Sequence, residues 1–276
     1  MSKFFTANRI FDNVTQIGGL GGELCYLIEG SEKALLIDGL SGVGSLRAFV
    51  RELTDLPVEL VLTHGHDGHA GAAFEYGVCR VHPADIEVLY ENGDPARRYD
   101  FVTRGRPAGA FMPKTEDVVP RCAVRTLPVE DGDVFELGGV EIEAIGVPGH
   151  TTGTLVFLDR MHRAVYSGDA CNPNTLLALP GSTTIETYKQ SLLHFSSHIE
   201  SFVVLYGGHD TGAVPRRIGG AAVELCDEIM AGTDDQYPMA YIGRDFLYAR
   251  RFTGDFKCRD GRLANIAYKK ENIFNR

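Results

Sequence analysis

The segment Thr63-His64-Gly65-His66-Asp67-Gly68-His69 follows directly on the largely apolar run Val58-Glu59-Leu60-Val61-Leu62. Three histidines fall within six residues, two separated by one residue and the third three further on. Packing gives little reason to crowd imidazoles in this way. Neutral imidazole is the commonest protein ligand for zinc and also suits iron, copper and nickel. On a loop leaving a strand, His-x-His aims two rings at one point, and the interleaved glycines let the backbone turn tightly enough to do so. The segment therefore reads as a strand that delivers metal ligands from its end, which is where α/β proteins put chemistry.

Three later segments repeat the setting. Pro148-Gly149-His150-Thr151-Thr152-Gly153 places a histidine in a turn, Ser167-Gly168-Asp169-Ala170 places a carboxylate after an apolar run, and Tyr206-Gly207-Gly208-His209-Asp210 places a histidine after Phe202-Val203-Val204-Leu205. In this order the motifs resemble those of the metallo-β-lactamase superfamily of hydrolases, over about Gly18 to Gly212. The resemblance implies an αββα fold of class α/β (α+β), two mixed sheets face to face with helices outside. It also implies that His64, His66 and His150 hold one metal ion, that His69 and His209 serve a second, and that Asp169 bridges both. Zinc is the implied cofactor, one or two ions, with iron and manganese as alternatives. One departure stands out. The family pattern HxHxDH has an aspartate directly before the last histidine, where this chain has Gly68, with Asp67 one position earlier. Asp67 is accordingly a candidate ligand or proton shuttle reached by a shifted loop, and otherwise the second ion lacks a ligand. Asp38, closing the run Ala34-Leu35-Leu36-Ile37, fits either a brace for the metal loop or a plain turn aspartate.

With 27 basic and 37 acidic residues the net charge is −10, which argues against non-specific binding to nucleic acid or an anionic membrane. An apolar fraction of 44% suffices for a sizeable core. The six cysteines are widely and irregularly spaced without a CxxC pair, the N-terminus lacks a signal-peptide run, and no stretch approaches the roughly 20 apolar residues of a membrane span. These features point to a cytoplasmic protein acting on a small molecule. They leave the oligomeric state open, a homodimer included.

Residues 1–276 read as one domain. Residues 14–38 read as strands, with 23–28 and 34–37 forming a hairpin. Further strands are expected at 78–81, 134–137, 140–145, 154–158, 164–166, 202–206 and 263–268, and helices at 45–53, 84–90, 185–199 and 221–230. Thr183 and Glu186 fit a capping box for the third helix. The hairpin ending at Asp38 parallels the one ending at Asp169, which hints at an internal duplication. Segment 91–118, with three prolines and Arg97, Arg98, Arg104 and Arg106, is a candidate lid whose basic groups suit an anionic substrate. His82, His162, His194 and His198 lack the glycine-flanked strand-end setting and read as structural or solvated.

The chemistry implied is hydrolysis. A bound zinc lowers the pKa of its water to about 7, and the metal-bound hydroxide attacks a small ester, thioester, lactone or amide without a serine or cysteine nucleophile. The alternative is an iron-containing redox or ligand-sensing member of the superfamily with a degraded second site.

Overall fold

The computed structural model describes residues 2–209, 212–241, 243–254 and 257–275. The first half comprises β1 (Thr6–Phe11), β2 (Val14–Gly18), β3 (Leu24–Glu29), β4 (Ala34–Ile37), α1 (Leu46–Leu53), β5 (Val58–Val61), α2 (Ala73–Tyr76), β6 (Val78–Val81), α3 (Ile86–Asn92), α4 (Pro95–Thr103) and β7 (Arg125–Pro128). The second comprises β8 (Val134–Glu136), β9 (Glu141–Gly146), β10 (Leu155–Asp159), β11 (Ala164–Gly168), β12 (Asn174–Leu176), α5 (Ile185–Ser196), β13 (Val204–Gly207), β14 (Ala213–Pro215), α6 (Ile218–Ala231), β15 (Tyr237–Tyr241), β16 (Arg244–Tyr248) and β17 (Asn265–Tyr268).

Strands β1 to β7 form one seven-stranded sheet in sequence order, and a six-stranded sheet runs β14-β13-β11-β10-β9-β8. Their inner faces meet through Tyr26, Ile37 and Val61 from the first and Ile142, Phe157 and Tyr166 from the second. Helix α1 lays Leu46 and Val50, one turn apart, on the outer face of the first sheet, together with Phe74 of α2 and Leu89 of α3. Helices α5 and α6 cover the second sheet through Ile185, Leu192, Ile218 and Leu225. Each such side chain, fully buried, contributes roughly 1.5–3 kcal/mol. This is the αββα arrangement expected.

The pairing order recurs in the two halves. β3–β4 is antiparallel and β4–β5 parallel; β10–β11 is antiparallel and β11–β13 parallel. Asp38 follows β4 and Asp169 follows β11, so the two carboxylates occupy corresponding strand ends.

Three features differ from the sequence reading. A third sheet, β12-β17-β16-β15, gathers the tail against the segment after Asp169. Strand β1 was not expected. Its first four residues are exposed, so its sequence carries no apolar alternation. Helix α5 is capped by Thr184, whose hydroxyl accepts from Thr187 N at 3.1 Å, rather than by Thr183, and the Glu186 carboxylate accepts from Asn275 N instead of closing a capping box. Among the described residues no helix is long and apolar enough to cross a membrane.

Candidate metal centre

The histidine loop leaves β5 and is fixed at both ends. Thr63 N donates to Asp38 Oδ1 at 2.7 Å, and Gly39 N donates to His69 O at 2.5 Å. Leu155 N, at the start of β10, donates to Thr63 O at 2.9 Å and so joins the loop to the second sheet. His150 comes from the β9–β10 turn, Asp169 from the end of β11 and His209 from the end of β13. Leu24 N of β3 donates to Gly208 O at 2.8 Å, while Gly208 N donates to Gly168 O at 2.9 Å. A β-carbon on Gly208 would lie 2.4 Å from His69 Cε1. Glycine is therefore what lets the β13 end approach the cluster.

Donor atoms of His64, His66 and His150 lie within 4.8 Å of one another, as do those of His64, His69 and Asp169. His66 Nδ1 is 2.9 Å from His150 Nε2. Asp169 Oδ2 faces three further nitrogens, His209 Nε2 at 3.3 Å, His69 Nε2 at 3.5 Å and His150 Nε2 at 3.6 Å, and His69 Nε2 is 3.4 Å from His209 Nε2. All six residues assigned to two ions from sequence thus lie together at the strand ends of the two sheets, in adjoining donor groups.

The partners on the far side of each ring fix the tautomers. His150 Nδ1 faces Leu176 O at 2.8 Å and must carry its hydrogen, as must His69 Nδ1, which faces Asp38 Oδ2 at 2.9 Å. Thr63 Oγ1 gives its only proton to the Asp38 carboxylate, at 2.9 Å, so it accepts from His64 Nδ1 at 3.0 Å. The Nε2 lone pairs of His64 and His150 are therefore the ones aimed inward, while His69 Nε2 faces the Asp169 carboxylate. His64 Nε2 is buried and has no hydrogen-bond partner among the described residues. A buried, unsatisfied lone pair beside two further imidazole donors is unfavourable without a cation, so the residues present fit a metal ion. Asp38 is both a turn residue, with φ of 68°, and a brace for Thr63 and His69.

Asp67 stands apart from both donor groups. Its Oδ2 accepts from Arg97 Nε of α4 at 2.8 Å. The four arginines of segment 91–118 divide. Arg97 and Arg104 line the cavity. Arg98 is fully buried, donating to the carbonyls of Gly93, Ser41, Gly42 and Val119, and burial lowers its pKa to about 10. Arg106 donates to Leu20 O. The expectation of a single basic cluster is corrected to that extent, because two of the four cations are consumed by backbone carbonyls. The four histidines set aside stay outside the cluster. His82 accepts from Ala84 N, His162 pairs with Asp159 and His194 with Asp131, while the His198 ring meets that of His194.

Sequence reasoning missed three polar anchors. Asp85 is fully buried and accepts from Gly65 N at 2.8 Å, Thr151 Oγ1 at 2.9 Å and Gly153 N at 2.9 Å, tying the histidine loop to the His150 turn. Burial pushes its carboxyl pKa up against the pull of these donors. Glu23, also fully buried, accepts from Gly21 N and Ser41 Oγ, both at 2.7 Å. Asn172 Nδ2 donates to Asp169 Oδ1 at 3.0 Å and leaves Oδ2 for the histidines. Asp85 follows His82-Pro83 and looks like an ordinary helix-start aspartate, and nothing local marks the other two.

Burial first, then the neighbouring imidazoles, push His64 well below its usual pKa, and burial and His150 do the same for His66. His150 is lowered too, by burial against the pull of Asp169. Burial opposes charge on His69 as well, but Asp169 and Asp38 outweigh it and raise its pKa to about 10. Burial likewise opposes ionisation of Asp169, yet His209 and His69 hold its pKa well below the ordinary carboxylate range. These directions set the pH dependence of the metal-free protein. His64, His66 and His150 bind protons more readily unfolded, so each removes up to about 1.4 kcal/mol of stability per pH unit as pH falls below 6.5. His69 acts oppositely, and its contribution is lost as pH rises from 6.5 towards 10. Thermal melts of chelator-stripped protein should therefore give a maximum near neutrality. A melting temperature that rises steadily from pH 7 to 5 contradicts a cluster of neutral buried imidazoles.

The cluster opens into a cavity of about 570 Å³. Arg97 and Phe101 of α4 and Arg104 just past its end wall it on one side, Tyr241, Arg244 and Tyr248 of the β15–β16 hairpin on another.

A family model described as the metallo-beta-lactamase superfamily matches residues 18–198. The Bos taurus protein named acyl-coenzyme A thioesterase MBLAC2 is 26% identical over 166 residues, 55% of this chain and 59% of its own length. The uncharacterized protein Rv2581c of Mycobacterium tuberculosis is 30% identical over 141 residues, 48% of this chain and 58% of its own. The chain thus spans under two thirds of the length of these curated relatives. Among solved structures, the stereoselective inverting sec-alkylsulfatase Pisa1 from Pseudomonas sp. superposes with a TM-score of 0.61 at 15% identity, over 83% of this chain and 43% of its own. The metallo-beta-lactamase FIM-1 from Pseudomonas aeruginosa in its mono-zinc form gives 0.60 at 16% identity, over 82% and 96%. At such identities these neighbours bear on the fold alone.

Proposed function

The chain belongs to the metallo-β-lactamase superfamily, and from that premise we propose that it is a metal-dependent hydrolase of a small ester, thioester, lactone or amide, with zinc the first candidate ion and a thioester the first candidate substrate. The observation that carries the reading is the buried Nε2 of His64, without a hydrogen-bond partner among the described residues, beside the donors of His66 and His150. The thioester preference rests on the name of the MBLAC2 relatives.

His64, His66 and His150 would hold the first ion, and His69, His209 and Asp169 a second. A bound divalent ion supplies an activated water near pH 7 and polarises the carbonyl oxygen. The chain does the rest. Asp38 locks His69 and, through Thr63, His64, so these rings need no reorientation when a ligand arrives. Neutral His64, His66 and His150 offer lone pairs at neutral pH, and the ionised Asp169 gives the cluster its compensating negative charge. Asp169 Oδ2, partly open to the cavity, faces the nitrogens of His209, His69 and His150 and would join His69 and His209 in holding the second ion. Phe101 and Tyr248 supply apolar wall, while Arg244 and Arg104, the latter ion-paired with Asp100, are the cations offered to an anionic substrate in a cavity that Asp67 and Glu91 also line.

Purified protein assayed for zinc, iron and manganese, together with a panel of acyl thioesters, aryl esters and lactones, tests this. Turnover should disappear with a chelator and return with zinc. Full turnover by metal-free protein, or zinc-loaded protein inert on the whole panel, sinks the proposal. Within it, Arg104→Ala should raise KM for an anionic substrate by about tenfold, a loss of about 1.4 kcal/mol of binding, while Arg106→Ala, whose guanidinium serves Leu20 O, should leave KM alone.

A further inference from the structure

The glycine that interrupts the histidine motif is not demanded by its backbone. Gly68 is absent from the positive-φ residues of the chain, so an L side chain meets no backbone penalty there. What it would meet is α4. A β-carbon on Gly68 would lie 3.0 Å from Phe101 Cζ and 3.5 Å from His209 Cε1. Carbon atoms pack at about 3.5–4.0 Å, and an aspartate's carboxylate would extend further into the ring's space. The same ring covers Gly21, where a β-carbon would lie 2.7 Å from Phe101 Cε1. Two glycines on separate loops thus make room for one phenylalanine, whose ring centroid is 6.3 Å from that of His209. One turn earlier on α4, Arg97 draws the Asp67 carboxylate into an ion pair at 2.8 Å. Phe101 and Arg97 together keep both nearby carboxylate positions, 68 and 67, away from the His69–His209 side of the cluster.

We propose that α4 limits the second cation position. Phe101, seated over Gly68, closes position 68 to a donor side chain, so the position at His69, His209 and Asp169, with three protein donors among the described residues, binds more weakly than it would with a fourth. This rests on the metal-centre reading above. It adds that Phe101 is a positioning residue for the second ion and that its effect appears only in combination with residue 68.

The test is zinc titration of chelator-stripped protein against a chromophoric competitor, which reads affinity and stoichiometry without an activity assay. Wild type should bind zinc tightly, and its second affinity is the reference for the variants. Gly68→Asp alone should change the second affinity little, because the ring stands in the way, and Phe101→Ala alone should also change it little. Gly68→Asp with Phe101→Ala should tighten the second ion by at least about tenfold. Melting curves, with Phe101→Leu as the milder partner, exclude a folding defect as the cause. A second ion tightened as much by Gly68→Asp alone, or left unchanged by the pair while the first still binds, overturns this inference and spares the metal-centre reading. Absence of tight zinc binding by wild type overturns both.

Discussion

His150→Ala is expected to leave purified protein with a small fraction of its zinc and to lower kcat/KM by about 10³-fold, about 4 kcal/mol of transition-state stabilisation. The size follows from how the ring is held. Leu176 O pins Nδ1 and sends Nε2 to within 2.9 Å of His66 Nδ1, so the deleted atom is one of three convergent donors. The neighbouring loop cannot close the gap, because Thr151 and Gly153 are tethered to Asp85. His82→Ala is the matched control. His82 accepts from Ala84 N at the start of a short helix, so its loss should cost about 1 kcal/mol of stability and no zinc. A His150→Ala protein with full zinc and full turnover would show that the convergence seen here is not the functional centre.

What could be read before the structure was the part of the site with a local signature. His64, His66, His150, Asp169 and His209 each end or follow an apolar run beside glycine, and that pattern marks a strand end. Their meeting is a property of two sheets packed face to face, and it came from the resemblance rather than from spacing. The remainder depends on contacts between distant segments. Asp85 acts through donors 20, 66 and 68 residues away. Arg98 reads in sequence as one of the lid's basic groups, yet it is buried because carbonyls of three separate segments converge on it. Strand β1 and the tail hairpin β15–β16 escaped for a related reason, although β17 was expected. Exposed or mixed faces, as in β1 and β15, leave hydrophobic periodicity with nothing to report.

The second large effect should come from a residue that touches neither ion nor substrate. In Asp85→Asn one carboxylate oxygen becomes an NH2 group, and whichever way the amide turns it points a donor at a donor. Facing Gly65 N and Thr151 Oγ1, it strands the histidine loop; facing Gly153 N, it strands the His150 turn. An unsatisfied buried donor costs roughly 1–3 kcal/mol, so the melting temperature should fall by on the order of 5 °C. Asp85→Ala, which strands Gly65 N and Gly153 N at once, should lower it further. Zinc affinity should fall in parallel, by about 10–100-fold, because the two loops joined by Asp85 carry His64 and His66 on one side and His150 on the other. Competition titration beside thermal melts decides the matter. If stability drops while zinc affinity holds, Asp85 merely fills the gap between α3 and the loops. If both drop together, the buried carboxylate is what keeps the three histidines in register, and its desolvation cost is borne for that purpose.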